Sequence, residues 1–128
     1  MISANRIAAP VALATGAHSA ALALALPAAA AGPAVTTRPA VTIRLGEYFY
    51  KPALVTVAAG QKVTFVNVGK ISHTVADSNR SGTILSRLIK PHELKPGAHQ
   101  TISLAKPGVV YYLCTFHPTL MRGKIIVR

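Results

Sequence analysis

From residue 41 onward, apolar residues recur at every second position in short runs, and this period limits the fold more than any other feature. Alternation of this kind places the apolar side chains on one face of a β-strand. The clearest runs are VTIRL, HQTISL, VVYYLC and GKIIVR, with turn-forming residues such as those of AKPG between them. The pattern predicts an all-β domain built as a sandwich or a barrel.

Other segments give weaker structural signals. Two alternating runs, 54–58 and 63–68, flank the dipeptide Ala59-Gly60, and we expect them to form a hairpin. We also expect a short strand in SHTVA, which begins at Ser72. The segment 77–96 is long for a loop in a compact domain, and its apolar residues predict a helical turn around Ile84–Ile89. The sequence assigns this segment no function.

The amino-terminal thirty residues differ in composition from the rest. Arg6 is followed by Ile7–Leu26, which contains no Lys, Arg, Asp or Glu, and then by the small residues of PAAAAGPA. This order is typical of a secretory signal peptide. We therefore predict a signal peptide over 1–31, a linker over 32–39 and one domain over 40–128, and we expect the protein to be exported to the periplasm, the extracellular space or the cell envelope.

An uncleaved membrane anchor is the alternative for the same segment, because twenty apolar residues are long enough to cross a bilayer. Pro10, Gly16 and His18 disfavour that alternative. Contact with a membrane is expected only if the segment is retained.

The charge balance favours acidic partners. The chain has 14 Lys and Arg, and Arg6 is the one that falls in the predicted signal peptide, so 13 remain against the three acids Glu47, Asp77 and Glu93, a balance of +10. The basic residues are scattered singly and form no basic run or recognition-helix pattern, so we expect no nucleic-acid binding. A positive balance speeds encounter with acidic surfaces.

The stretch YYLCTFHPTLMRGK, 111–124, holds the only cysteine. Cys114 has no partner for an intrachain disulfide, and an exported thiol needs protection. Cys114, His117 and Met121 offer a thiolate, an imidazole and a thioether within eight residues, and a thioether favours copper over zinc. Such a site needs a second imidazole, and His73 is the best candidate. His18, in the signal segment, and His92 and His99, in solvated positions, are not expected to be ligands.

Other functions of the cysteine remain possible at this point. It is a small buried hydrophobe in many proteins. Zinc with a fourth ligand is a second alternative. A nucleophilic cysteine with His117 as base is disfavoured, because only three acids are present to orient the histidine. One cysteine and five histidines exclude dinuclear copper domains and multicopper oxidases.

Two segments resemble the cupredoxins, the small type 1 copper proteins, and are most similar to amicyanin and plastocyanin-like members. They are FYKPALVTVAAGQKVTFVNVGKISHTV and KPGVVYYLCTFHPTLMRGKIIVR, and the resemblance covers about Val41 to Arg128. The matched positions are Phe49, Pro52, Val57, Gly60, Phe65, Asn67 and His73 in the first segment and Tyr112, Cys114, His117, Met121 and Gly123 in the second.

The resemblance implies a Greek-key β-sandwich that binds one type 1 copper ion and carries single electrons between redox proteins through Cu(I) and Cu(II). It implies His73, Cys114 and His117 as strong ligands, Met121 as a weak axial ligand, and the edge of His117 as the electron port. We further expect a monomer that is not an enzyme and, from the charge balance, redox partners with an acidic docking surface. A copper-binding or delivery protein with the same ligands is the alternative.

Three positions depart from these relatives. Three residues separate His117 from Met121, which is the azurin-like number. Thr74 replaces the usual Asn after the first histidine, and we expect its hydroxyl to bond Thr115 and its N–H to donate to the Cys114 sulfur. Phe116 replaces a proline, and because proline has no N–H, we expect Phe116 to supply a donor near that sulfur and thereby to raise the reduction potential.

Overall fold

The computed structural model describes residues 38–128, which contain eight β-strands. The strands are β1 (Val41–Gly46), β2 (Phe49–Lys51), β3 (Leu54–Val57), β4 (Lys62–Asn67), β5 (Ala76–Ser78), β6 (His99–Ser103), β7 (Gly108–Leu113) and β8 (Arg122–Val127). They form two four-stranded sheets, with orders β2-β1-β4-β6 and β3-β8-β7-β5. Each sheet has one parallel pair, β1 with β4 and β3 with β8, so both sheets are mixed.

One apolar cluster lies between the sheets. Ile43 and Phe65 from the first sheet and Val55 and Ile125 from the second are all buried in it. In each strand these side chains alternate with more exposed ones, as the period of two requires. The prediction of an all-β sandwich is confirmed.

The predicted signal peptide and linker cannot be compared with the structure, because 1–37 lie outside the described residues. Within 38–128, no helix is long and apolar enough to cross a membrane.

The predicted hairpin at Ala59-Gly60 is wrong. Its two strands, β3 and β4, belong to different sheets, so this turn carries the chain from one sheet to the other. The turn amides confirm the crossing, since Ala59 N donates to Arg128 O and Gly60 N to Leu104 O, both at 2.8 Å. β3 pairs in parallel with β8, β4 pairs in parallel with β1, and β3 and β4 do not pair with each other.

The segment between β4 and β6 also differs from the prediction. The strand expected at Ser72 starts later, at Ala76, and residues 73–78 are all buried, so no alternation marks them. No helical turn forms over Ile84–Ile89. Its amides bond to Asp77 instead of to each other: those of Leu85 and Ser86 reach the Asp77 carbonyl, and those of Leu88 and Ile89 reach its carboxylate.

Candidate metal centre

Cys114 and His117 lie on a tight loop between β7 and β8. The His117 amide donates to the Cys114 carbonyl at 3.1 Å, and the Met121 amide donates to the His117 carbonyl at 3.0 Å. The Cys114 amide closes the loop by donating to the Met121 carbonyl at 3.1 Å. These backbone bonds fold the loop back on itself, so His117 Nδ1 lies 3.7 Å from the Cys114 sulfur.

His73 comes from the loop between β4 and β5. Its backbone exchanges two hydrogen bonds with Leu94, at 3.0 and 2.8 Å. The buried Asn67 side chain donates to the carbonyls of Ile71 and Leu94, which fixes both sides of this contact. His73 is fully buried as a result, and its Nδ1 lies 4.0 Å from the sulfur of Cys114.

The structure brings together three of the predicted ligands. One donor atom from each of His73, Cys114 and His117 lies within 4.8 Å of the other two. His73 and Cys114 are buried, whereas His117 is partly exposed. A thiolate with two imidazoles is a donor set that suits copper, and the arrangement of these three side chains fits such an ion.

The contacts predicted for Thr74 are confirmed. Its amide lies 3.4 Å from the Cys114 sulfur and donates to it. Its hydroxyl bonds the Thr115 hydroxyl at 2.7 Å and accepts the Thr115 amide at 2.7 Å. Because Thr74 follows His73 and Thr115 follows Cys114, these bonds connect the two ligand-bearing loops.

The donor predicted at Phe116 is not found. Within residues 38–128, no hydrogen bond joins the Phe116 amide to the Cys114 sulfur, and the amide donor to that sulfur is Thr74. The Phe116 side chain is 52% exposed. The structure therefore gives no support to an effect of Phe116 on the reduction potential through that bond.

Met121 is fully buried and immediately precedes β8. Its backbone bonds to Cys114 and His117 place it in the same loop as two of the predicted ligands. Its role as an axial ligand stays a prediction. His92 and His99 are exposed and do not belong to the ligand group, as expected, and His18 lies outside the described residues.

Glu47 contacts the site, and the sequence reasoning missed it. Its Oε1 lies 3.6 Å from His73 Nε2. The same oxygen accepts the amides of Ile71, at 3.0 Å, and Lys70, and these two bonds lower the pKa of the carboxyl group. Burial lowers the pKa of His73, against the opposing effect of Glu47. The only sequence signal for Glu47 was the scarcity of acids in the chain.

Tyr48 was also missed. Its ring packs edge-to-face against the His117 ring, with 4.7 Å between the ring centroids. Through this contact Tyr48, which is itself 48% exposed, covers part of the His117 ring. An aromatic residue before a short strand gives no sequence signal for this contact.

A family comparison agrees with the geometry. The family model of the cupredoxin-like domain matches residues 12–127, which is most of the chain. The chain belongs to the cupredoxin family. Members of this family bind one type 1 copper ion and act as electron carriers, and the His73–Cys114–His117 group of this cupredoxin fits that ion.

Solved structures place this cupredoxin near amicyanin. Amicyanin from Paracoccus versutus (Thiobacillus versutus) is 32% identical, with 78% of this chain and 88% of that chain covered and a TM-score of 0.59. A purple cupredoxin from Nitrosopumilus maritimus is 25% identical, with 71% and 100% covered and a TM-score of 0.63. A proline-to-phenylalanine variant of amicyanin in its reduced state is 27% identical, with 70% and 82% covered and a TM-score of 0.60. The comparison with curated protein sequences gave no match.

Proposed function

We propose that the protein is an exported type 1 copper protein that carries single electrons between redox proteins and has no enzymatic activity. The observation that supports this most strongly is the buried Cys114 sulfur, which lies within 4.0 Å of Nδ1 of His73 and 3.7 Å of Nδ1 of His117. These three residues are the proposed strong ligands, and Met121 is the proposed axial ligand. Bound copper supplies the one-electron couple between Cu(I) and Cu(II).

The protein's own residues hold the donors nearly still. The Thr74–Thr115 bonds and the backbone bonds of the ligand loop restrict movement of Cys114 and His117. A donor set that keeps one geometry in both oxidation states needs little rearrangement when an electron moves. These contacts therefore favour rapid electron exchange over the release of metal that a delivery protein requires.

His117 is the proposed port for electrons, because it is the ligand histidine that is partly exposed. Exposed apolar side chains lie close to it in the chain or in space: Phe116 at 52% exposure, Leu120 at 65% and the contacting Tyr48. Such a surface suits brief docking of a redox protein, and acidic residues on that partner would complement the positive balance of the chain. We propose that the protein acts as a monomer.

The first experiment is addition of Cu(II) to the purified protein, followed by visible absorption and electron paramagnetic resonance spectra. We expect an intense thiolate-to-copper charge-transfer band. Cys114→Ser should abolish this band, whereas Met121→Leu should keep the colour and shift the reduction potential. A wild-type protein without the band would contradict the proposal. A colourless Cu(I) form that passes its metal to an acceptor would favour copper delivery.

Export is proposed from the amino-terminal pattern alone. We propose that 1–31 is removed as a signal peptide, that 32–39 is a linker and that 40–128 is the copper-binding domain. The test is the mass and amino-terminal sequence of the protein recovered from the cell envelope or medium. A chain that begins near Gly32 is expected, and recovery of the intact chain in the membrane fraction would instead support a retained anchor.

A further inference from the structure

The second ring nitrogen of His73, Nε2, is a buried polar atom that could donate a hydrogen bond. Nε2 is buried and has no hydrogen-bond partner within residues 38–128. When a neutral imidazole faces a metal with Nδ1, it carries its proton on Nε2, and ligand histidines normally donate that proton to a carboxylate or carbonyl. The oxygen placed to accept it is Glu47 Oε1, at 3.6 Å.

The Glu47 carboxylate is held at this place by the backbone. Glu47 directly follows β1, and its Oε1 accepts the amides of Lys70 and Ile71, which belong to the loop that leads to His73. The side chain is 34% exposed, so the carboxylate lies at the edge of the site, between His73 and solvent. Its position therefore depends on the same loop that positions the histidine.

Gly69 makes room for the carboxylate. A Cβ atom at this position would overlap the carboxylate of Glu47. The backbone of Gly69 is not in the left-handed region, unlike that of Gly60, Gly82, Gly97 and Gly108. A side chain at Gly69 would therefore force the Glu47 carboxylate to shift from its present position.

We propose that Glu47 is a positioning residue for the metal centre, which accepts the Nε2 proton of His73 and so directs the Nδ1 lone pair towards the copper position. This inference rests on the proposed function, because it treats His73 as a ligand. Glu47 acts through His73 and does not belong to the ligand set. A carboxylate next to a ligand also places negative charge beside the site, which stabilises the more positive Cu(II) state and lowers the reduction potential.

The first test needs no copper. The full chain is labelled with ¹⁵N, and the two-bond ¹H–¹⁵N correlations of the histidine rings are recorded for the metal-free protein. Wild type is expected to show His73 as one tautomer with the proton on Nε2, and Glu47→Ala is expected to show a mixture of tautomers. The matched control is Glu93→Gln, because the Glu93 carboxylate accepts the Ser72 hydroxyl at 2.8 Å and, within residues 38–128, forms no ion pair with His73. An unchanged His73 tautomer in Glu47→Ala would overturn the proposal.

The second test is the reduction potential of the copper-loaded protein. Glu47→Gln keeps an oxygen that can accept the amides of Lys70 and Ile71, so it preserves the loop and removes only the charge. Its potential should lie above that of wild type and above that of Glu93→Gln, which loses the same charge elsewhere. Equal shifts in the two variants would overturn the electrostatic role. If wild type gave no charge-transfer band, the proposed function would fail, and the tautomer test would still decide whether Glu47 orients His73.

Discussion

Thr74 is the residue on which the relative position of the two ligand-bearing loops depends most directly. Its hydroxyl bonds the hydroxyl and the amide of Thr115, and its amide donates to the Cys114 sulfur. Thr74 is 3% exposed, so water cannot readily replace these bonds. Loss of the hydroxyl would leave the partly buried Thr115 amide without its acceptor, and an unpaired donor that is fully buried costs about 1–3 kcal/mol.

We therefore expect Thr74→Val to lower the free energy of unfolding of the metal-free protein by about 1–2 kcal/mol. Thr74→Ser keeps the hydroxyl and should lose less than half of that. The measurement is the midpoint of urea unfolding. The control is Thr64→Val, which removes a similar hydroxyl pair with Thr101, 3.0 Å long but exposed. Equal losses in the two Val variants would show that the Thr74 bonds stabilise the fold no more than an exposed hydroxyl pair does.

Tyr50 gives the stability a dependence on alkaline pH. Burial, together with the Cys114 and Tyr112 charges, raises the pKa of its phenol above the usual range, and its hydroxyl donates to Thr74 O at 2.6 Å. The unfolded chain loses this proton near pH 10, while the folded chain keeps it. Above that pH the unfolded state binds fewer protons than the folded state. The contribution of Tyr50 to the free energy of unfolding is therefore fully present below about pH 10 and is lost as the pH rises further.

We expect the urea midpoint of wild type to fall more steeply between about pH 10 and 12 than that of Tyr50→Phe. The variant should also be less stable at pH 7, by about 1 kcal/mol, because it lacks the bond to Thr74. Tyr48→Phe, at a half-exposed position, is the control and should keep the wild-type slope. A wild-type slope in Tyr50→Phe would mean that other groups cause the alkaline loss.

Donor chemistry made some site residues predictable. A thiolate, an imidazole and a thioether close together in the chain predicted the ligand loop and the need for a second imidazole, for which His73 was the best candidate, and the family pattern added the contacts of Thr74. Glu47 and Tyr48 were not predictable, because each reaches a ligand from a separate element through space. The hydrogen bond expected from Phe116 is not found in residues 38–128, because absence of proline permits a donor but does not direct that donor towards the sulfur.

At the scale of elements, one residue organises the loop between β5 and β6. Asp77 is 2% exposed, and its carboxylate accepts the amides of Leu88 at 2.9 Å and Ile89 at 2.7 Å. Its carbonyl accepts the amide of Leu85 at 2.9 Å. Ile89 is thereby held in the core, although Leu88 beside it is 60% exposed. The loop is thus attached to the sheet through a side chain instead of through helical bonds.

Asp77→Ala should lower the free energy of unfolding by about 2–4 kcal/mol, because two bonds to a charged acceptor are lost together. Asp77→Asn keeps one oxygen and should lose less. Hydrogen exchange supplies the specific readout: the amides of Leu88 and Ile89 should exchange much faster in Asp77→Ala, while β7 amides such as that of Val110 keep their protection relative to global unfolding. Uniform acceleration of all amides would show that Asp77 stabilises the whole domain and not this loop.

Most strands were predictable, whereas their partners were not. The period of two identified β1, β3, β4, β6, β7 and β8, because the side chains of each are more buried on one face than on the other. It carries no information about which strand lies alongside, so a turn between β3 and β4 resembled a hairpin although those strands join different sheets. β5 is three residues long and wholly buried, and the helical spacing at Ile84–Ile89 was overridden by the bonds to Asp77.

At the scale of the whole molecule, the balance of +10 acts on the rate of encounter with charged reactants. The effect of one charge depends on its distance from the proposed electron port at His117. Arg122 lies near His117, since its Nε donates to Pro118 O at 2.7 Å. Lys106 precedes β7, whereas Cys114 follows it, and six strand residues separate these ends by roughly 20 Å.

Electron transfer from the reduced protein to hexacyanoferrate(III), an anionic oxidant, should therefore slow as salt rises, and transfer to a cationic cobalt(III) complex should not. Near 0.1 M salt the screening length is about 10 Å. At that ionic strength Arg122→Gln should slow oxidation by hexacyanoferrate(III), whereas Lys106→Gln, with the same loss of charge, should change it little. Stopped-flow absorbance of the charge-transfer band measures both rates. Equal effects of the two variants would mean that electrons leave by a route other than the exposed edge of His117, since only a port beside Arg122 makes that charge the nearer one.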